Sequence, residues 1–264
     1  MALLSYVLEI FGEHTLGTGE VVGLLALSLV LIAGYGLHAT RTAFPLLELA
    51  LFRIRTFRAT VVGSFVTRLG IGGVPFLLPL LYQVGLGFSP IQSGLLIMPQ
   101  AAAALSTKFL VARLLDRVGY RGVLIANTLV LGLLLMLFAT IGPATPLWLI
   151  VLQAFCYGAF TSVQFTSMNT LVYADIDEHK TSSASSIAST VQQMSISFGV
   201  AAAGLCTAFF IPDRYRTNPA EMIHGVHDAF LLLGLFTILS TAIFLGLKPD
   251  DGAAVSKHKD LHLG

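Results

Sequence analysis

Residues 69–107 run for 39 positions without an Asp, Glu, Lys or Arg. A helix crossing a bilayer needs about 20 mostly apolar residues, so this run is too long for one crossing and suits parts of two. The break falls at GLGFSP (Gly85–Pro90), because Gly and Pro end helices. The pattern recurs along the chain and gives seven predicted spans: 21–40, 59–84, 90–112, 122–142, 147–173, 184–211 and 226–247. GPATP (Gly142–Pro146) turns the fourth into the fifth. Short alternating segments of the kind a membrane β-barrel uses are absent. The expected fold class is therefore all-α and polytopic. Composition agrees: 55% of the 264 residues are hydrophobic, 11% are charged and mean hydropathy is +0.83. A soluble domain carries about 25% charged residues. With 15 Lys+Arg against 14 Asp+Glu there is no basic excess to hold a nucleic acid. Cys156 and Cys206 sit in apolar runs, away from any disulfide or thiolate-metal pattern.

MALLSYVLEIFG at the start meets Glu9 too early for a span and lacks the basic start of a signal peptide. It reads as the tail of a helix whose beginning is missing. Orientation follows from Lys and Arg. Loops 41–58, 108–121 and 174–183 and the tail from 248 hold twelve of them, the other side holds Arg214 and Arg216, and Arg68 lies inside a span. The twelve-residue side is expected to be cytoplasmic, the C-terminus included.

Arg68 lies about nine residues into the second span, roughly 13 Å deep at 1.5 Å per residue. An Arg at such depth is costly, so it is expected to face a cavity or a counter-charge, on one face with Ser64 and Gly72. Snorkelling to the surface is the bland alternative. The spans are read as holding no membrane-embedded carboxylate, so any counter-charge must come from elsewhere. Gly70, Gly72, Gly73, Pro75 and Pro79 follow closely and predict an interrupted helix. In the fifth span Gln153, Tyr157, Thr161 and Gln164 share a helical face, and in the sixth Ser182, Ser186, Ser189, Gln193 and Ser197 do so. Such stripes either glue helices together or line an aqueous cavity. The serines leave both readings open, and the glutamines favour the cavity. HGVHD (His224–Asp228) lacks a third metal ligand nearby, and neither a catalytic constellation nor a phosphate-binding loop is visible, so no enzyme, metal or cofactor is expected.

The loop ARLLDRVGYR (Ala112–Arg121) resembles the loop signature of the major facilitator superfamily. Leu114, Asp116, Arg117, Gly119 and Arg121 match it, while Ala112 stands where the family favours Gly and Tyr120 replaces a basic residue. FRIRTFRAT, PFLLPLLYQ, GFSPIQSGLLIMP, FTSMNTL and SSASSIASTVQQMSISFGVAAAG are similar to the 14-span drug:proton antiporter branch, in its multidrug-efflux-like members. The resemblance implies the C-terminal half of such a transporter. Residues 1–58 would hold the end of one helix, a linker helix and a loop. Residues 59–247 would be a six-helix bundle of two inverted repeats, 59–142 and 147–247, and 248–264 a tail. It also implies a bacterial inner-membrane location, amphipathic small-molecule substrates, protons, and a separate or missing N-terminal half bearing the coupling carboxylates. Arg68, Ser64, Gln153, Tyr157, Thr161, Gln164, Ser186, Ser189 and Gln193 would line the cavity, and the loop residues would change partners as the halves rock. Competing expectations are a seven-span receptor or sensor and an assembly subunit. On any of these readings the chain alone is not expected to couple protons to transport.

Overall fold

A computed structural model describes residues 48–211 and 218–252. The expected first span, the helix remnant before it, Arg41, Arg214, Arg216 and most of the tail lie outside the described residues. Within them the chain is helical, with no strand. A 3-10 turn (Leu49–Arg53) leads into α1 (Arg55–Ile71), α2 (Val74–Pro79) and a π-helical segment (Leu80–Gly85). There follow α3 (Pro90–Phe138), α4 (Leu147–Leu171), a 3-10 turn (Glu178–Lys180), α5 (Thr181–Phe210) and α6 (Pro219–Leu245).

The predicted breaks occur where the chemistry requires them. Ser89 caps α3 reciprocally with Gln92: its hydroxyl accepts from the Gln92 amide (3.3 Å), and the Gln92 side chain accepts from the Ser89 amide (2.9 Å). Pro90 fills the first helical position, where the missing N–H costs nothing. Asn218 caps α6 through the Glu221 amide, again with Pro next (2.9 Å). The interruption between α1 and α2 follows from Pro75. A continuous helix would offer the Ile71 carbonyl the N–H of residue 75, and Pro has none. The helix stops at Ile71, and the Tyr157 hydroxyl reaches that carbonyl from α4 (3.4 Å). Pro79 repeats the effect. The chain beyond it winds into the π segment, where the Leu86 amide reaches back five residues to Leu81 (2.9 Å).

Although α3 is one run of helical residues, it reverses at Gly119, whose φ of 76° belongs to the left-handed region. Partners on either side of this point establish the reversal. On the first arm, Gly158 of α4 packs against the Gln100 backbone, and Ser162 donates to the Ala104 carbonyl (3.0 Å). Both numbers rise together, so this arm is parallel to α4. On the second arm, Asn127 bonds Phe160 and Gln164 while Phe138 stacks on Tyr157, so the order runs the other way. The two arms are therefore the expected third and fourth spans, joined by a tight turn.

The six arms alternate in direction. One end gathers Arg55, Tyr120, Asp175 and Asp251: Arg55 forms a two-pronged ion pair with Asp251, Thr56 donates to Asp175 (2.7 Å), and Gly252 packs on the Tyr120 ring. The other end gathers Gly85, Ile141, Ile211, Ile223 and His227. The loops grouped together on charge thus meet at one end of the bundle, here called the basic end. Glycines set the closest crossings. A Cβ added at Gly72 would stand 3.2 Å from the Gly199 Cα, so α1 and α5 touch through bare backbone.

Five described stretches are long and apolar enough to cross a membrane: Arg55–Gly85, Leu110–Phe138, whose crossing part is the arm after the Gly119 turn, Leu147–Leu171, Glu178–Phe210 and Pro219–Leu245. The arm over 90–118, diluted by Gln92, Ser93, Gln100 and Lys108, is the sixth helix of the bundle. One expectation needs correction. The last helix begins at Pro219, seven residues before the predicted 226, so it takes in Glu221; Asp228 already falls within the predicted 226–247, so the expectation that no span holds a carboxylate fails there as well. Both are exposed and lie in its first ten residues, away from the basic end. Glu221 was missed because the Asn218–Pro219 cap is a stronger start signal than the onset of hydrophobicity, and Asp228 was overlooked inside the apolar run.

Candidate functional site

Among the described residues Arg68 is the largest fully buried side chain, 1% exposed, thirteen residues along α1 from Arg55. It faces the bundle interior. Its Nε donates to the Ser64 hydroxyl one turn earlier (2.9 Å), and its guanidinium carbon lies 3.8 Å from the centre of the Phe165 ring of α4. Nη2 is buried without a partner. A desolvated cation–π contact is worth about 2 kcal/mol. Burying an ion costs several kcal/mol even after relaxation. The stack and one hydroxyl therefore leave the charge under-compensated, and among the described residues the one ion pair is Arg55–Asp251 at the basic end.

Phe165 also lines a cavity of about 670 Å3 between the first arm of α3 and α4. Tyr157, Thr161 and Asn169 of α4 line it as well, and Gln100 and Lys108 come from α3. Its volume lies within the range of small-molecule sites. The Gln100 amide nitrogen in its wall is buried without a partner. Asn169 is shared with a smaller cleft lined by Thr60 and Ser64 of α1 and Gln192 of α5. Arg68 lines neither hollow but is bonded to Ser64 of the cleft and stacked on Phe165 of the cavity.

The remaining predicted residues separate into distinct settings. Tyr157 and Thr161 line the larger cavity. Gln164 does not. It is fully buried, its amide nitrogen donates to Thr128 (2.8 Å), and its oxygen accepts from Asn127 (2.7 Å) on the second arm of α3. It is helix-to-helix glue, a correction to the cavity role expected of it. The physical reason is register. Gln153, Tyr157, Thr161, Phe165 and Asn169 continue the stripe at spacing four, whereas a step of three to Gln164 moves onto the neighbouring face. Phe165 and Asn169 were missed although that spacing pointed to them. Gln153 is buried with its amide nitrogen unpartnered and is not among the cavity-lining residues.

On α5, Ser186, Ser189 and Gln193 are exposed, turned away from the described bundle. Ser186 donates back to the Ser182 carbonyl (3.0 Å). Their neighbour Ser195 is buried, so the helix has a packed face and an uncovered polar one. In the turn motif, Gly119 supplies the left-handed residue, Leu114 and Arg117 are exposed, and Asp116 and Arg121 are half-buried. His224 and His227 lie with rings 6.3 Å apart. His227 Nε2 contacts the Ile141 carbonyl (2.8 Å), and no group of three metal-ligating residues forms among the described residues.

Comparison with known proteins places this arrangement in context. Residues 3–200 and 62–262 each match the family described as Major Facilitator Superfamily. A candidate multidrug resistance protein, MdtD, of Serratia proteamaculans is 35% identical over 231 residues, 88% of this chain and 48% of that relative. The protein of the same name from Escherichia coli K12 is 34% identical over 261 residues, 98% of this chain and 55% of its own length. That of Escherichia fergusonii matches with the same identity and coverage. The chain spans about half the length of the curated relatives it matches.

Proposed function

The chain belongs to the major facilitator superfamily, and from that membership we propose that it forms the C-terminal portion of a proton-coupled efflux permease for amphipathic organic molecules. The described bundle would be one of two halves that rock about a central site, built as inverted repeats over 59–142 and 147–247. The observation that carries the reading is a cavity of small-molecule size between the first arm of α3 and α4, one wall of which, Phe165, stacks on the buried Arg68 of α1. The uncovered polar face of α5, with Ser186, Ser189 and Gln193, supports it. In a membrane such a face needs water or another protein surface against it. The span of the match, about half of each relative, fits one half of a two-bundle machine. Arg117 and Arg121 near the Gly119 turn would be the groups that exchange partners as the halves rock.

Proton coupling requires an ionisable group that changes state within the membrane. Arg68 does not serve, because a guanidinium stays protonated. Glu221 and Asp228 sit near one end of their helix. The coupling carboxylate is therefore assigned to a partner bundle. The basic end is assigned to the cytoplasm of a bacterial inner membrane by the Lys/Arg rule, and a C-terminal reporter active only outside the cytoplasm tests that assignment.

The main test is flux of a fluorescent amphipathic dye in proteoliposomes, with this chain alone and with a candidate N-terminal bundle. Flux driven by a proton gradient is expected only from the pair. Robust flux from the chain alone, collapsed by an uncoupler and absent from empty vesicles, would overturn the half-transporter reading.

A further inference from the structure

We infer that the cavity beside Arg68 selects amphipathic organic anions, carboxylates or sulfonates with a hydrophobic body, with the Arg68 guanidinium as the group that receives the negative charge. The inference deepens the proposed function and rests on it.

Three observations converge. Arg68 is 1% exposed, and its Nη2 has no partner. A planar guanidinium with a free N–H is built to meet a carboxylate or sulfonate oxygen. Second, the larger cavity is lined by Lys108 and by Gln100, whose buried amide nitrogen also lacks an acceptor. Among the described residues no Asp or Glu lines this cavity or the cleft beside Ser64. The wall thus offers unmet donors and positive charge, the complement of an anion and a poor match for an organic cation. Third, Phe165 presents one face to Arg68 and lines the cavity. An aromatic ring over a guanidinium holds the cation in place while the pocket is empty. Arg68 does not itself line the cavity, so the Phe165 ring must swing aside as the anion enters and remain as an apolar wall for the hydrophobic body. Leu105, Ala101 and Ala104 supply further apolar surface.

The same anion chemistry occurs in soluble detergent-like acids and in anionic lipid headgroups, so the test separates them. The chain is placed in nanodiscs of phosphatidylcholine and titrated with 11-(dansylamino)undecanoate. The probe of equal length ending in an amine serves as control, and empty discs are subtracted. The acid is expected to bind at least about tenfold tighter than the amine, as a charge-assisted pair should. Arg68→Met is expected to lose about tenfold or more for the acid and nothing for the amine, while Arg68→Lys, which keeps the charge without the planar fork, recovers only part of the loss. Lys108→Gln, at an exposed position and harmless to folding, is expected to weaken the acid by about threefold in low salt. Displacement of the acid by phosphatidylglycerol added to the discs identifies a lipid as occupant, and its absence a soluble anion. Both outcomes keep the anion site.

Equal binding of acid and amine, or wild-type acid binding by Arg68→Met, overturns the proposal. Melting of the ligand-free discs guards against a different role. If Arg68 answers a carboxylate of the protein itself, Arg68→Met orphans that group and melts lower, which also overturns the proposal. With the pocket awaiting a ligand, Arg68→Met melts no lower than wild type. Tight binding of the amine independent of Arg68 sinks the anion assignment and leaves the transporter reading standing. Binding of neither probe removes the cavity as a substrate site and takes the transporter reading of it away as well.

Discussion

Helices α1 and α5 touch each other through Gly72 and Gly199, yet they treat their polar residues in opposite ways. On α1, Thr56, Thr60, Thr67 and Arg68 are all at most 1% exposed, and Thr67 meets Ser240 of α6 (3.2 Å). On α5, Ser186, Ser189 and Gln193 point away from every described neighbour. Both helices are apolar enough to cross a membrane, and both carry polar stripes at helical spacing. The difference is what surrounds them. The helix wrapped by α4, α5 and α6 uses polar groups as internal ties. The helix at the edge of the bundle offers them to whatever covers that edge. A polar stripe in a membrane helix is therefore not one signal, and its meaning is set by neighbours.

The comparison breaks most severely at the shared contact. Gly199→Leu places a Cβ 2.8 Å from the Arg68 carbonyl and from the Gly72 Cα, backbone atoms that cannot swing aside. A loss of about 3 kcal/mol is expected, at the upper end for overpacking. Thermal unfolding in detergent measures it, and a wild-type melting curve would mean that α1 and α5 do not meet there.

Next in size is the buried tie on α4. Gln164→Leu removes the donor to the Thr128 hydroxyl oxygen and the side-chain acceptor of Asn127, although Thr128 still donates to the Leu124 carbonyl (2.7 Å) and Asn127 to the Phe160 carbonyl (2.9 Å). The expected cost is about 2 kcal/mol, that of losing hydrogen bonds in a buried site. The matching change on the exposed stripe, Gln193→Leu, is expected to alter stability by no more than about 0.5 kcal/mol. A cost at Gln193 equal to that at Gln164 would erase the distinction between tie and open surface.

The proposed roles sharpen the same contrast in an assembled transporter. Ser186→Leu with Gln193→Leu is expected to reduce dye flux several-fold while this chain's own melting is unchanged, because the altered face belongs to the interface or cavity. Flux and melting falling together would return the stripe to ordinary packing. The smallest effect is expected at the basic end, where Asp251→Asn weakens the Arg55 pair. Arg55 is partly exposed. Its loss should therefore show as a small melting shift at low ionic strength that vanishes in high salt. A shift that persists in high salt would assign Asp251 a packing role through its bond to the Lys248 amide (2.7 Å).

Much of this protein is determined by its sequence alone. The helical fold, the breaks at Gly85–Pro90 and Gly142–Pro146, the interruption after Arg68 and the gathering of basic loops at one end are all local matters. They follow from apolar run length, from proline's missing N–H and from charge that water must solvate. The glycine in the turn motif is legible for the same reason, since one residue type fits a φ of 76°. The family resemblance is likewise carried by short motifs. Tertiary structure alone decided the partners. Spacing marks a face of a helix and says nothing of what lies opposite it. Gln164 and Phe165 are adjacent in sequence, yet one ties α4 to Asn127 while the other covers a buried guanidinium. That Arg68 is held by Ser64 could be read one turn away on the same helix. That its other neighbour is an aromatic ring 97 positions along the chain could not, because non-local contacts depend on how whole helices pack, and packing depends on the joint shape of many residues rather than on any one of them.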